Sequence, residues 1–159
     1  MRKIIIVRGA LGVGKTTVSK ILAEQMCAEY VSIDRILEEN NLDKGDGIPV
    51  GNYLISNEIV SHLLQESEKS FIIDGCFYYQ EQIDDLEQKI NEDVQIFTLV
   101  SSVEICITRE SKRNRVYGED AARFVHMITN KVKAGYEIDN TDLSIEETVN
   151  RIVKQISKK

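Results

Sequence analysis

Tryptophan is missing from this chain of 159 residues, histidine occurs twice and proline once, and only three cysteines are present. Each scarcity closes off a class. Cys27, Cys76 and Cys106 are odd in number and far apart, which leaves neither a disulfide framework nor zinc-site spacing. All three read as buried or half-buried free thiols, and His62 and His126 as bystanders on helical segments. No apolar run approaches the roughly 20 residues of a membrane span. The opening MRKIIIVRGA has too short an apolar part for a secretory signal and reads as a core strand of a cytoplasmic protein. Excess positive charge is also lacking. The net charge of −6 argues against a broad nucleic-acid surface, though not against a local basic site. No repeat or low-complexity segment is visible.

What is present alternates. Short apolar runs at Lys3–Arg8, Tyr30–Ile33, Phe71–Asp74, Val94–Val100 and Tyr136–Asp139 suit five parallel strands covered on both faces. Helical spacing lies between them. Val18, Ile21 and Leu22 share a face, as do Ile55, Ile59 and Leu63, then Ile83, Leu86 and Ile90, and finally Ile145, Val149, Ile152, Val153 and Ile156. Ser101 with Glu104 and Ser144 with Glu147 read as capping boxes. The expected fold is one α/β domain over 1–159, with ligands at the carboxyl ends of the strands. The stretch 42–51, with three glycines and the only proline, breaks the rhythm. It is either a surface loop or a flap over a substrate.

The strongest signal follows the first strand. Gly9-Ala10-Leu11-Gly12-Val13-Gly14-Lys15-Thr16 satisfies G-x-x-x-x-G-K-[ST]. Glycines let backbone N–H groups curl around a phosphate, and the next helix turns its positive end to the same anion. Lys15 would reach the β- and γ-phosphates, and the Thr16 hydroxyl would sit on Mg²⁺. Gly9, Gly12, Val13, Gly14, Lys15, Thr16 and Thr17 are the candidate nucleotide-binding residues. The GTPase patterns D-x-x-G and N-K-x-D are absent, and Gly75, not a glutamate, follows Asp74. Efficient hydrolysis is therefore not the expected task.

In motif order the chain resembles the small P-loop kinases of the nucleoside-monophosphate and shikimate kinase-like group. Its flavour is closest to the chloramphenicol phosphotransferase-like and gluconate kinase-like enzymes. The resemblance rests on the P-loop, Asp34 after the second strand, Asp74-Gly75 after the third, TRESKRNR after the fourth and IDNTDLSIEETVNRI at the end. It implies ATP and Mg²⁺ as cofactors in a five-stranded P-loop fold. Asp34 would orient or deprotonate an acceptor hydroxyl; the alternative on the residues alone is an N-cap of the next helix. Asp74 would hold Mg²⁺ with Thr16, or else is a turn residue. Arg109 and Arg113, four apart on a helix, would grip phosphate oxygens with Lys112 and Arg115 nearby, in a lid over 109–123 that could also recruit Arg123. The adenine would rest on the backbone of Asn140–Leu143.

One departure bears on the acceptor. Where nucleoside-monophosphate kinases continue D-G-F-P-R, this chain reads Asp74-Gly75-Cys76-Phe77-Tyr78-Tyr79-Gln80. Loss of that arginine and gain of three aromatics favour a neutral or aromatic hydroxyl compound. The expectation is an ATP-dependent transfer of the γ-phosphate to a small-molecule hydroxyl. Alternatives are a nucleoside, nucleotide or 5′-hydroxyl polynucleotide acceptor, or a regulatory nucleotide binder with weak hydrolysis.

Overall fold

The computed structural model describes residues 2–45, 47–114 and 117–158. Five strands, β1 (Ile4–Gly9), β2 (Glu29–Ser32), β3 (Phe71–Gly75), β4 (Val94–Val100) and β5 (Tyr136–Asp139), form one sheet in the order β2-β3-β1-β4-β5. Every pairing is parallel. Burial follows from that order. The central runs IIIVRG and FIIDG are buried at every position, whereas β5 at the edge buries only Ile138. Apolar residues at consecutive positions are what a strand covered on both faces needs.

Seven helices complete the layers: α1 (Lys15–Gln25), α2 (Ile33–Glu39), α3 (Val50–Gln65), α4 (Gln80–Lys89), α5 (Val103–Glu110), α6 (Glu119–Lys131) and α7 (Ile145–Ile156). Alternation along β1 sends Ile4 and Ile6 into a core with Leu37, Val60, Leu64 and Leu86 from α2, α3 and α4. Ile5 and Val7 enter a second core with Val18, Leu22, Val149 and Ile152 from α1 and α7. The connection after β1 leads to β2 on one side, and the connection after β3 leads to β4 on the other. The crevice between β1 and β3 is thus the switch point where open α/β sheets bind ligands.

Three sequence expectations are corrected. Ile55 and Leu63 are exposed at 49% and 38%, so their stripe is not the core face of α3. That helix instead buries Tyr53, Asn57, Val60, Ser61 and Leu64. The Asn57 amide explains the reversal, because its Nδ2 donates to the Gln82 carbonyl and the Asp85 carboxylate of α4 at 2.8 Å each. A buried polar contact outranks hydropathy there. The first capping box is also displaced by one residue. Ser102 caps α5 by accepting from Ile105 N–H, while Ser101 turns inward and donates to Asn140 Oδ1. The second box, Ser144 with Glu147, is complete. Finally, Cys27 is exposed, whereas Cys76 and Cys106 are buried. Among the described residues no helix is long and apolar enough to cross a membrane.

Candidate active site

Helix α1 starts from Gly14, which has φ +88° and offers no side-chain cap, and its first turn carries no acidic residue. The orphan N–H groups and positive end of a helix are ordinarily met by a side-chain oxygen or an acid. Here the first turn holds Lys15, Thr16 and Thr17 instead, a helix start that suits an anion. Gly12 shows why the loop can close so tightly. Its φ is +79°, and an added Cβ would lie 2.2 Å from the Cys106 carbonyl oxygen. The start of the loop is packed onto α5 with no room for a side chain.

Gly12, Gly14, Lys15, Thr16, Thr17, Arg109, Arg113 and Ile145 line a cavity of about 410 Å³. Gly9 and Val13 lie behind it: a Cβ on Gly9 would meet Leu99 at 2.7 Å, and Val13 is fully buried in the core. Lys15 Nζ donates to the Ala10 carbonyl at 3.3 Å. Burial lowers its pKa, but the surrounding negative field, from Cys76, Asp74 and Asp34, reverses this and lifts it to about 12. The Cys76 thiol is itself pushed up to about 11 by burial, so at neutral pH the two carboxylates supply that field. A raised lysine pKa contributes stability in full below the usual lysine value and loses it as pH climbs through about 12. Lys15 is therefore a fixed cation throughout the physiological range.

Asp74, 3% exposed at the end of β3, uses one oxygen twice. Its Oδ2 accepts from the Thr16 hydroxyl and from the Tyr30 hydroxyl, each at 2.8 Å. Its Oδ1 is buried without a hydrogen-bond partner. A buried carboxylate oxygen left open beside a P-loop hydroxyl is the donor set that suits a hard divalent cation bound partly through phosphate and water. No cluster of three His, Cys, Asp or Glu side chains able to hold a metal occurs among the described residues. The pair Thr16 and Asp74 thus fits Mg²⁺ brought in with a nucleotide.

Arg109, in the last turn of α5, donates to Ser101 Oγ at 3.3 Å and toward the Asn140 carbonyl at 3.5 Å. Arg113 is not on that helix. α5 ends at Glu110, and the following turn brings Arg113 back to donate to the buried Glu110 carboxylate at 3.1 Å. The two arginines nevertheless share the cavity wall. Arg115 lies outside the described residues. Arg123 pairs with Glu119 along α6.

The site also contains side chains whose roles carry no sequence signal. Asn140, at the end of β5, donates to the Val13 carbonyl at 2.8 Å and accepts from Ser101, so one buried amide ties the P-loop to β4 and β5. His126 contacts the Ser101 carbonyl at 2.9 Å. Tyr30 joins the Asp74 cluster, where burial, with the Asp74 charge next, drives its pKa up. A strand-end asparagine amide or an edge tyrosine belongs to no motif, so spacing does not reveal them.

On the other side of Lys15 stands Asp34, in the first turn of α2. Ser32 is the N-cap of that helix, accepting from Arg35 N–H, so the capping role does not fall to Asp34. The Asp34 charge acts on Lys15, Cys76, Tyr53 and Tyr78. Arg35 turns outward to Glu39 at 2.6 Å. The aromatic run after β3 is divided. Phe77 is buried in the core with φ +50°. Tyr78 and Tyr79 face a cleft of about 460 Å³ with Gly47, Ile48, Phe124, Val125, Ile128, Lys131 and Val132. Tyr53 and Tyr78 join hydroxyls at 2.6 Å, and Tyr79 donates to the Ile48 carbonyl at 3.1 Å. Gln80 is the first residue of α4 and reaches to Asp84, away from the tyrosines.

Comparison with known proteins agrees with this architecture. The AAA_18 profile, an AAA domain family, matches residues 5–126. A putative adenylate kinase of Thermococcus gammatolerans is 31% identical over 167 aligned residues, covering 98% of this chain and 86% of that protein. Two crystal structures show the same fold at low identity. A sugar kinase from Janibacter sp. HTCC2649 has a TM-score of 0.82 at 17% identity, covering 99% of this chain and 95% of its own. A gluconokinase from Sinorhizobium meliloti 1021 has a TM-score of 0.79 at 13% identity, covering 99% and 94%. With its P-loop, its parallel sheet and this profile match, the chain belongs to the AAA_18 family of P-loop kinase domains.

Proposed function

We propose that this kinase transfers the γ-phosphate of ATP to the hydroxyl of an uncharged, largely apolar small molecule. The observation that carries the reading is the composition of the cleft that includes Tyr78, on which the Asp34 charge acts. Tyr78, Tyr79, Ile48, Phe124, Val125 and Ile128 line it, and Lys131 is its one cationic lining residue among the described ones. A phosphorylated acceptor calls for several fixed cations, and arginine forks serve best. A tyrosine-rich wall instead favours flat or apolar bodies, with hydroxyls to fix their orientation.

In this reading the P-loop amides, Lys15, Arg109 and Arg113 hold the triphosphate. Thr16 and Asp74 would hold Mg²⁺, which neutralises phosphate charge when bound. Asp34 orients the acceptor hydroxyl and takes its proton late in transfer. The adenine lies against the Asn140–Leu143 backbone, and Gly47 and Ile48 close one side of the acceptor cleft.

A second reading, a nucleoside monophosphate as acceptor, is favoured by the adenylate kinase name of the Thermococcus relative. Release of ADP from Mg²⁺–ATP, measured with AMP and other nucleotides against aromatic alcohols, sugars and nucleosides, separates the two. The first reading expects stimulation by a neutral alcohol and little by AMP. Strong stimulation by AMP alone would replace it with the second.

A further inference from the structure

Arg8 has no part in the P-loop signature, yet it is wholly buried, the largest fully buried side chain among the described residues. It sits on β1 just before the glycine loop and points to the α3 and α4 face of the sheet. Nη1 donates to Thr98 Oγ1 at 3.0 Å and to the Val132 carbonyl at 3.1 Å. Nη2 donates to the Phe77 carbonyl at 3.1 Å and to the Thr129 carbonyl at 2.8 Å. None of these four partners is a carboxylate, and Nε is buried without a partner. Burial lowers the guanidinium to about 10, which leaves it charged at neutral pH.

Burying a cation away from an ion-pair partner is costly, and an apolar side chain would fill the same space without that cost. Something in the fold must use the fork. Two of the accepting carbonyls, Thr129 and Val132, are at the C-terminal end of α6, where the helix dipole supplies negative potential. The third belongs to Phe77, whose left-handed φ of +50° turns the chain between β3 and α4. These segments are the two walls of the tyrosine cleft. Tyr78 and Tyr79 follow Phe77 directly, and Phe124, Val125, Ile128 and Val132 belong to α6 and its end. Arg8 itself does not line the cleft, but its side chain bonds from a central strand to both segments that carry the walls.

We propose that Arg8 is a positioning residue for the acceptor, one guanidinium setting the spacing between the β3–α4 turn and α6. Its role in catalysis rests on reading the cleft as the acceptor site; the mechanical linkage does not. Hydrogen–deuterium exchange on the full chain tests the linkage directly. In Arg8→Met, peptides covering 76–80 and 126–133 are expected to exchange faster together. The P-loop peptide 9–20 is expected to keep its rate, and AMP-PNP its affinity within about twofold, a small change in binding free energy. Arg8→Lys keeps the charge without the fork and is expected not to restore slow exchange in both walls. Should Arg8→Met fail to fold, the lysine variant carries the same expectations.

Faster exchange in one wall only, in neither, or across β1 and the P-loop with loss of AMP-PNP binding overturns the linkage, as does full rescue by lysine. Acceptor-dependent ADP release then tests the catalytic half. KM for the stimulating alcohol is expected to rise roughly ten- to hundredfold with kcat changed far less, the signature of misplaced walls. An unchanged KM alongside loosened walls would keep the linkage and reject the cleft as the acceptor site.

Discussion

The P-loop cavity and the tyrosine cleft, the proposed nucleotide and acceptor sides of the site, are built on opposite principles. The nucleotide side is mostly main chain: glycine-loop amides, an uncapped helix start, and the charges of Lys15, Arg109 and Arg113. The acceptor side is mostly side chain: tyrosine rings, α6 residues and a loop carbonyl. Backbone geometry demands particular residues at particular spacings, so it leaves a motif. A side-chain cleft draws on three distant segments and can be relined without disturbing the fold. This is why relatives with one architecture can carry adenylate kinase, sugar kinase and gluconokinase names.

The sharpest way to break the comparison is at the seam. Asp34→Asn is expected to lower acceptor-dependent kcat by about 10²- to 10⁴-fold, the usual range for a lost general base. AMP-PNP binding, measured by calorimetry, should stay unchanged. If turnover survives, Asp34 does not belong to the acceptor side.

Next in size is Gly12→Ala. A Cβ 2.2 Å from a carbonyl, at φ +79°, leaves the loop no relaxed arrangement. Unfolding by urea should show a loss of about 3 kcal/mol, and AMP-PNP affinity should fall with it. A neutral result would mean that the nucleotide side tolerates side chains as the acceptor side does.

Smaller is Tyr79→Phe, which removes the bond to the Ile48 carbonyl. It should cost about 1 kcal/mol, read as a several-fold rise in acceptor KM with nucleotide KM unchanged. The smallest effect is a labelling one. At pH 8 iodoacetamide should modify Cys27 quickly and spare Cys76 and Cys106, both buried with thiols pushed up to about 11. Intact mass after brief exposure gives the count, and Mg²⁺–ATP should not alter it.

The same contrast explains which parts of the molecule are legible in its amino-acid sequence. The strand spans match almost residue for residue, because IIIV and FII suit a doubly covered strand far better than any exposed element. The grouping of Gly12, Lys15 and Thr16 around one cavity, with Asp74 on the Thr16 hydroxyl, is legible because the glycine-loop motif restricts residue types. The α3 face is not, since Asn57 and Ser61 are buried for hydrogen bonding and small size, while Ile55 stays outside. The Ser101 cap misleads because a serine one position later is equally able to cap, and only the Asn140 contact decides between them. The bracing roles of the Arg8 and Asn140 side chains leave no trace, because their partners are carbonyls and hydroxyls far along the chain.

Asn140 also joins the first loop of the chain to a residue synthesised much later. The P-loop emerges from the ribosome first, but its Val13 carbonyl waits for a side chain 127 residues later. The profile shared with the family ends at residue 126, before that amide is made. A nascent chain therefore holds the phosphate motif long before it holds the braced loop, and the last strand to join the sheet completes the first feature legible in the sequence.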